Sequence, residues 1–162
     1  MPTIILDADF LSSFLKIERL DLVREFYRVS VVNICPSVHR EIAATDLLIQ
    51  LVAVVWLQVT APDAAILNGL MSDEEFCNLG AGEQESIALA KERSDSILMM
   101  SDNKARRVAA RMGTAVINIP AFLLACKTDN WLDRNALQML VRDLRERDYY
   151  EFRQDVLEAL LS

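Results

Sequence analysis

The sequence predicts an α/β fold, with a mainly parallel sheet and helices on both of its faces. Short apolar runs rich in β-branched residues recur along the 162 residues, and segments with apolar residues at helical spacing separate them. Glycine and proline are scarce, with four of each, which favours a compact, helix-rich chain. Strands that alternate with helices imply right-handed crossovers and therefore parallel strands. The length fits one domain with a continuous core.

The first half of the chain contains three predicted strands. Thr3–Leu6 is an apolar run that ends at an aspartate, and Val29–Ile34 is rich in β-branched residues. Trp56–Thr60 is expected to be a short edge strand. Helices are predicted at Phe10–Ile17, Leu20–Tyr27 and Asp46–Val55. Another helix follows Pro36, with Ser37 as its expected N-cap.

The alternation of strands and helices continues in the second half. Helices are predicted at Pro62–Met71, after the turn Gly80–Gly82 and at Asn103–Met112, and strands are predicted at Ser96–Met100 and Ala115–Ile119. Ser72–Glu75 is expected to be an acidic loop. Gly113 stands where a C-cap glycine belongs, directly after a predicted helix.

The segment after Trp131 changes character, because it is heavily charged and helical in its pattern. Apolar residues recur at helical spacing in two stretches, Leu137–Leu144 and Phe152–Leu160. We therefore expect the main domain to cover residues 1–128. Residues 129–162 are expected to form a helical extension that packs on the same domain or on a partner.

Histidine and cysteine are too few and too scattered for a structural zinc site. The chain has one histidine, His39, and three cysteines without a CxxC pair, Cys35, Cys77 and Cys126. Buried free thiols in a reducing cytoplasm account for such cysteines. No secretory signal is visible, and the longest apolar stretch, Leu47–Leu57, is too short to span a bilayer. We expect a cytoplasmic protein without a membrane partner.

Four carboxylates are placed by the pattern at one edge of the predicted sheet. Asp7 follows the first strand, and Asp102 lies just past the strand Ser96–Met100. Glu41 and Glu83 lie in early turns of helices that begin at the same edge, outside the carboxyl ends of the strands, where α/β sheets bind ligands. Carboxylates packed together need a counter-charge, and all-oxygen ligation selects Mg²⁺ or Mn²⁺. The spacing predicts an acidic pocket for a cation that supports phosphodiester hydrolysis.

Each of these acids also has a structural interpretation. An acid near a helix start is often a solvated surface charge or a cap. Asp9 competes with Asp7 for the position at the strand end, and we favour Asp9 as the N-cap of the first helix. Glu85 lies two residues beyond Glu83, so it points to a different face and is expected to be exposed.

The net charge of −7 is unusual for a protein that binds nucleic acid, but the positive charges are clustered. One predicted helix carries Lys104, Arg107 and Arg111 on a single face, with Arg106 turned away. Arg40 adjoins one of the four acids. These cations could bind nucleic-acid phosphates, and a solvated helix face or salt bridges to nearby acids explain the helical ones equally well.

The segments around the four acids resemble the PIN-domain family, in the branch that includes VapC-type toxins and relatives with a glycine–glutamate motif. The resembling segments are Ile4–Leu11, Pro36–Ile42, Leu79–Ala90 and Ser101–Gly113. The third of them contains Gly82-Glu83, and the likeness covers most of Thr3–Lys127. The tail Asp148–Phe152 also resembles the glycine–glutamate branch.

The resemblance implies a PIN-like three-layer α/β/α nuclease domain with added C-terminal helices. It implies a Mg²⁺- or Mn²⁺-dependent endoribonuclease whose catalytic and metal-binding residues are Asp7, Glu41, Glu83 and Asp102. Ser101 is implied as an assisting hydroxyl near the metal. Many relatives are toxins of type II toxin–antitoxin pairs, each inhibited by a small antitoxin protein, and members are frequently homodimers. RNA substrate, an antitoxin and a second copy are therefore the expected partners.

One departure from the family pattern lies beside Asp102. Close relatives often carry two consecutive acids there, whereas this chain has Ser101 before Asp102 and Asn103 after it. The pocket is one carboxylate short at this point, and we expect one well-held metal. Two alternative functions stay open: a degenerate PIN domain that binds RNA or protein without cleavage, and a housekeeping nuclease of RNA maturation.

Overall fold

Five strands form the centre of the protein, and the computed structural model describes residues 1–162. The strands are β1 (Thr3–Leu6), β2 (Val32–Ile34), β3 (Leu57–Val59), β4 (Ser96–Met99) and β5 (Ala115–Ile117). They pair in the order β3-β2-β1-β4-β5, and every neighbouring pair is parallel. β3 therefore lies at one edge of the sheet, as the sequence predicts.

Eleven helices connect and cover the strands. They are α1 (Ala8–Lys16), α2 (Asp21–Tyr27), α3 (Pro36–Ala43), α4 (Leu48–Ala53), α5 (Ala64–Leu70), α6 (Glu74–Cys77), α7 (Ala81–Glu92), α8 (Asn103–Arg111), α9 (Ile119–Thr128), α10 (Arg134–Arg147) and α11 (Gln154–Leu161). Buried apolar side chains divide between clusters of 27 and 12 residues. Ile4 and Ile5 belong to different clusters, and successive strand residues point to opposite faces of a sheet. The predicted three-layer α/β/α architecture is thereby confirmed.

β1 occupies the middle of the sheet and is buried on both faces, since Ile4, Ile5 and Leu6 have no exposed surface. It pairs with β2 on one side and with β4 along its whole length on the other. The chain builds β2 and β3 outward from β1 and then places β4 and β5 beyond its other side. The carboxyl ends of β1 and β4 thus meet where the strand order reverses, which is where ligands bind in such sheets.

The two C-terminal helices pack on the apolar cluster that also covers α1 and α9. Leu144 of α10 and Leu160 of α11 are fully buried in that cluster. Asp148, which follows α10, accepts a hydrogen bond from Ser13 Oγ at 2.6 Å and pairs with Lys16 Nζ at 3.0 Å. The tail of the chain is therefore tied to α1, the helix that starts at the end of β1.

Two segments differ from the sequence-based expectation for local reasons. The apolar run from Val29 becomes a strand only at Val32, because Arg28 ends α2 in a left-handed conformation with φ of +55°. The strand expected to reach Ile119 ends earlier, because Asn118 caps α9 by accepting a hydrogen bond from Ala121 N at 3.0 Å. The helix α9 that begins there was not predicted.

The expected acidic loop Ser72–Glu75 is also different, because it contains the start of α6. The Asp73 carboxylate accepts a hydrogen bond from Phe76 N at 3.0 Å and so caps this short helix. Phe76 is fully buried in the smaller apolar cluster. An apolar anchor and a cap together turn a polar stretch into a helical turn.

Phe122 of α9 should be the most costly single truncation in the aromatic cluster that joins α9 to α1 and α2. Its ring is fully buried and lies 6.1, 5.8 and 5.6 Å from the rings of Phe10, Phe14 and Phe26. We expect Phe122→Ala to lower the free energy of unfolding in urea by about 3–5 kcal/mol. Met139→Ala, an exposed control, should change it by less than about 0.5 kcal/mol. Similar values for both variants would contradict this packing.

Candidate metal centre

Asp7 is the most deeply buried acid of the protein and lies directly after β1. Its backbone N–H donates to Met99 O at 2.9 Å, which holds the residue against the end of β4. Asp7 stands at the N-cap position of α1, but its side chain makes no capping hydrogen bond. The residue is 3% exposed, and its buried Oδ1 has no hydrogen-bond partner. A buried carboxylate oxygen without a donor is costly and calls for a missing partner.

A cavity of about 440 Å³ opens in front of Asp7. The helices α1, α3 and α7 all begin at this cavity, and it is lined by Asp7, Ala8, Asp9, Ser37, Arg40, Glu41, Gly80, Ala81, Gly82 and Glu83. Four of these ten residues are acids, and Arg40 is the single cation among them. Helix N-termini favour negative charge, so the three helix starts make the acidic lining tolerable.

Gly82 allows α7 to approach Asp7 closely. A Cβ atom at this position would lie 3.2 Å from Val38 Cγ2 and 3.8 Å from Asp7 Oδ1. The first contact is closer than an ordinary van der Waals distance, so a side chain here would require the Val38 methyl to shift by a few tenths of an ångström. The glycine of the Gly82-Glu83 pair is therefore what lets the next residue reach the cavity.

Glu83 lies in the first turn of α7 and is half-buried. Its Oε2 accepts a hydrogen bond from Gly80 N at 3.4 Å, so the Glu83 side chain reaches back to the N-cap residue of its own helix. Burial raises the pKa of the Glu83 carboxyl, the Gly80 N–H opposes that rise, and the charges of Asp102, Asp9 and Glu41 add to it. The carboxylates are thus close enough to repel one another.

Asp102 occupies the N-cap of α8, at the end of β4. Its Oδ2 accepts a hydrogen bond from Ala105 N at 2.8 Å, which leaves Oδ1 without a partner in the protein. Asp102 does not line the cavity, although its charge raises the pKa of Glu83. The fold therefore brings Asp7, Glu41 and Glu83 into one cavity and places Asp102 beside it.

Burial, above all, raises the pKa of the Asp7 carboxyl from 3.8 to about 7. A hydrogen bond from the Ala8 backbone opposes the rise, and the charges of Glu83, Asp9 and Glu41 reinforce it. The site thus sets four acids against a single cation, Arg40. Such a donor set suits a hard cation, which would remove both the repulsion and the orphaned oxygen.

The acids do not form a closed cage. No group of three or more His, Cys, Asp or Glu side chains lies close enough to hold a metal ion between them. Mg²⁺ usually takes only one or two direct carboxylates and keeps several waters, so it does not require such a cage. The arrangement fits an ion held by few carboxylates and by water, in a cavity that has room for both.

Three sequence-based assignments around the cavity are wrong. The N-cap residue of α1 is Asp7 and not Asp9. Asp9 lines the cavity. Ser37 is not the N-cap of α3, which begins at Pro36. Glu85 is half-buried, and its Oε2 accepts a hydrogen bond from Ser37 N at 3.1 Å. It caps α3 from a neighbouring helix, and no local pattern announces such a contact.

The cations proposed for nucleic-acid contact differ in their surroundings. Arg40 lines the cavity and donates from Nη2 to Ser37 Oγ at 2.9 Å. Lys104 and Arg107 are exposed and form no ion pair. Arg111 is paired, with two 2.9 Å hydrogen bonds to the carboxylate of Asp73. Its face of α8 is thus only partly free.

Ser101 lies between β4 and the Asp102 cap. Its Oγ is buried and has no hydrogen-bond partner in the protein. A buried hydroxyl normally finds a partner, so this one has both a donor and an acceptor to spare at the edge of the site.

A comparison with known protein families agrees with the parallel sheet and with the acidic cavity at its edge. A family model described as the PIN domain matches residues 3–162. This chain belongs to the PIN-domain family. The match runs through α10 and α11 to the last residue. None of the curated proteins compared with the chain matches it.

Membership in the PIN-domain family explains the acidic cavity at a sheet edge. PIN domains are generally nucleases and typically use divalent metal ions. The PIN fold therefore gives this chain a nuclease scaffold with a nucleic-acid substrate class. None of its eleven helices combines the length and the apolarity that a membrane span needs.

Asp7→Asn should stabilise the metal-free protein above neutral pH. Because the folded-state pKa of Asp7 is raised to about 7, its contribution to stability is complete below about pH 4 and is lost as the pH rises through 7. At about 1.4 kcal/mol per pKa unit, the loss amounts to roughly 4 kcal/mol as an upper value. Urea unfolding in EDTA at pH 8 should show the variant to be more stable, and at pH 4.5 the difference should shrink to about 1 kcal/mol.

The matched control for this experiment is Asp46→Asn, at an exposed acid without hydrogen bonds. It should leave the unfolding midpoint unchanged at both pH values. If Asp7→Asn is no more stable than the wild type at pH 8, the ionised Asp7 carboxylate does not lower the free energy of unfolding.

Proposed function

We propose that this PIN-domain chain is a Mg²⁺- or Mn²⁺-dependent endoribonuclease and the toxin of a type II toxin–antitoxin pair. The observation that carries the nuclease proposal is the buried Asp7, with its orphaned Oδ1, facing a cavity shared with three other acids. The toxin role is supported by the resemblance of the motifs around Asp7, Glu83 and Asp102 to the VapC-type branch.

Asp7 is the residue proposed to bind the ion directly, through the buried oxygen that has no donor. Glu41, Glu83 and Asp102 are proposed as the remaining metal-binding and catalytic carboxylates. Where one of them lies too far from the ion for direct contact, a water molecule bound to the ion bridges the gap. Asp9 joins them because it lines the same cavity. A divalent ion in this position would supply a nucleophilic hydroxide at neutral pH and stabilise the leaving oxygen.

The protein's own residues would position the RNA. Arg40 reaches into the cavity, where its free N–H groups can donate to a phosphate close to the carboxylates. Lys104 and Arg107 extend the positive surface along α8. Arg111 would add to it only by releasing Asp73. The unpartnered Ser101 hydroxyl can orient a water or a carboxylate at the site.

The antitoxin is proposed to bind a separate apolar groove of about 410 Å³ between α1, α2 and α4. The groove has Ile49 and Trp56 in its wall and Glu18 and Asp21 at its rim. Gln50, also in the wall, has a buried Oε1 without a hydrogen-bond donor. An amphipathic segment with basic residues would satisfy the acids and the amide together.

The homodimer is proposed from exposed apolar residues at the edge of the sheet next to this groove. Val31, Val55 and Val59 are 40%, 89% and 47% exposed and lie at or beside the edge strand β3. Exposed apolar residues grouped in this way favour contact with a second copy. The groove and the sheet edge together leave two faces for protein partners.

A non-cleaving PIN domain is the alternative that a specific observation favours. Only one acid stands at the Asp102 position, and no three acids lie close enough to form a ligand cage. Such a protein would bind RNA or protein through the same surfaces. A housekeeping nuclease would use the same cavity and differ only in its target.

Asp7→Asn and Asp102→Asn should each lower Mn²⁺-dependent RNA cleavage by at least about a hundredfold, because each removes a carboxylate of the proposed site. Cleavage of a labelled RNA is measured with and without EDTA, and Asp46→Asn serves as the folded, surface-acid control. Undiminished cleavage by both variants would rule out this site. Wild-type protein that binds RNA but never cuts it would favour the non-cleaving alternative.

Expression of the protein should arrest growth, and the product of a small adjacent reading frame should relieve the arrest. Ile49→Glu should abolish that relief, because it places a charge in the apolar wall that the apolar face of the antitoxin segment would cover, while RNA cleavage in vitro persists. Met139→Glu, a similar change on α10, should be relieved like the wild type. Relief that is equal for both variants would place the partner elsewhere.

A further inference from the structure

Arg106 of α8 is a cation that the fold leaves without a counter-ion. Its Nη2 donates a hydrogen bond to Asn103 Oδ1, and the side chain forms no other hydrogen bond and no salt bridge. Its Nε is buried and has no acceptor, although buried polar groups in proteins usually have a partner. The chain has 24 acids, so this unpaired guanidinium does not reflect a lack of carboxylates. Arg106 therefore keeps its positive charge for a ligand.

A cavity of about 390 Å³, which we call the arginine cavity, lies between α8 and the edge strand β5. It is lined by Asn103, Arg106, Arg107, Ala110 and Val116. The four residues that α8 contributes follow one another at i, i+3, i+4 and i+7, so they form one face of the helix. The sequence pattern turned Arg106 away from Arg107, whereas the structure brings both to this cavity.

The arginine cavity suits an anion, and a phosphate group in particular. Two of its five lining residues are arginines, none is an acid, and Asn103 contributes a neutral amide. Arg111, farther along α8, differs because Asp73 neutralises it through two hydrogen bonds. Guanidinium groups match the geometry of phosphate oxygens, and their hydrogen bonds to phosphate are charge-assisted. Within the cavity, only Asn103 Oδ1 competes with a phosphate for these donors.

The arginine cavity begins at the edge of the sheet that carries the candidate metal centre. Asp7 N donates to Met99 O at 2.9 Å, so the end of β4 lies against Asp7. Asp102 follows Met99 by three residues, which span at most about 11 Å. Arg106 N in turn donates to Asp102 O at 3.0 Å, and Asn103 directly follows Asp102. A strand of RNA bound at the acidic cavity can thus pass Asp102 and enter the arginine cavity.

We propose that Arg106 and Arg107 bind one backbone phosphate of an RNA strand whose neighbouring segment lies in the acidic cavity. The site holds the strand beside the metal centre and takes no part in bond cleavage. Because a phosphate carries no base identity, the site binds every RNA sequence alike. An acidic protein segment would also suit two arginines, but the position next to Asp102 favours the strand that the nuclease cuts. This inference rests on the proposed ribonuclease function and assigns to Arg106 a positioning role in it.

Arg106→Gln tests the site, because it removes the charge and keeps a polar side chain. The Kd for a labelled single-stranded RNA, measured by fluorescence anisotropy in EDTA, should rise about tenfold, as expected for the loss of a charge-assisted hydrogen bond. The slope of log K against log salt should fall in magnitude by about 0.7, which corresponds to one phosphate contact on a single strand. Arg107→Gln, at an exposed residue, should have similar effects, so the test does not depend on the half-buried Arg106 alone.

Arg93→Gln is the matched control, since it removes the same charge at the opposite end of the sheet. Arg93 follows α7 just before β4 begins, is exposed and forms no ion pair. Its replacement should change neither the Kd nor the salt slope. In Mn²⁺-dependent cleavage, Arg106→Gln should raise KM about tenfold and leave kcat within about twofold of the wild type, as expected for a residue that binds substrate and transition state equally.

Asn103→Asp tests the charge of the cavity without removing a cation. The new carboxylate lies one turn before Arg106, at i and i+3, where it can form an ion pair with the guanidinium. RNA binding in EDTA should therefore weaken roughly fivefold. Asn103→Ala, which adds no charge, should bind RNA within about twofold of the wild type. Wild-type affinity in Asn103→Asp would contradict a phosphate at Arg106.

The outcomes separate this inference from the proposed function. If the wild type cuts RNA and both arginine variants bind it as tightly as the wild type, the phosphate site is wrong and the nuclease stands. If the wild type binds RNA through Arg106 and never cuts it, the phosphate site stands and the nuclease falls. If Arg106→Gln binds RNA normally but is no longer relieved by the adjacent reading frame, the cavity holds a protein partner and the phosphate site is wrong.

Discussion

The structure depends on one constraint, the burial of β1 on both faces and between two strands. Ile4, Ile5 and Leu6 have no contact with solvent, so the residue that follows them is carried into the interior whatever its chemistry. That residue is Asp7, whose carboxylate loses its hydration and gains no full set of donors. The fold holds a charge where charge is unfavourable, and the large packed sheet supplies the stability that makes this possible. A functional site is the usual reason for such an arrangement.

The helices around Asp7 bring further acids to the cavity that it faces. Gly82 lets α7 approach α3, which brings Glu83 beside Asp7. Glu85 caps the start of α3, the helix whose Glu41 lines the same cavity. Together these contacts between helices concentrate negative charge in a PIN-domain scaffold. The same proximity that raises the pKa of Asp7 and Glu83 would strengthen their hold on a divalent ion.

The C-terminal helices link the core to the surface near the site. α10 and α11 bury Leu144 and Leu160 against the larger apolar cluster, and Asp148 ties the following turn to α1. The turn is thereby held beside α1, the helix that begins directly after Asp7. A segment that contributes no acid to the cavity thus shapes the surface around it.

The sequence by itself determined the strands and most helices, and it pointed to three acids that the fold brings to one cavity, because hydrophobic periodicity and residues at strand ends are local signals. Hence β1, α8 and the three-layer fold were predicted closely. It did not predict α9. The expected strand ran on to Ile119, whereas Asn118 caps a helix that begins at that residue. Only the tertiary structure decided that Asp9 lines the cavity, that Glu85 caps another helix and that Arg111 is paired with Asp73. These facts depend on contacts between residues far apart in the chain, and the packing of whole helices sets such contacts.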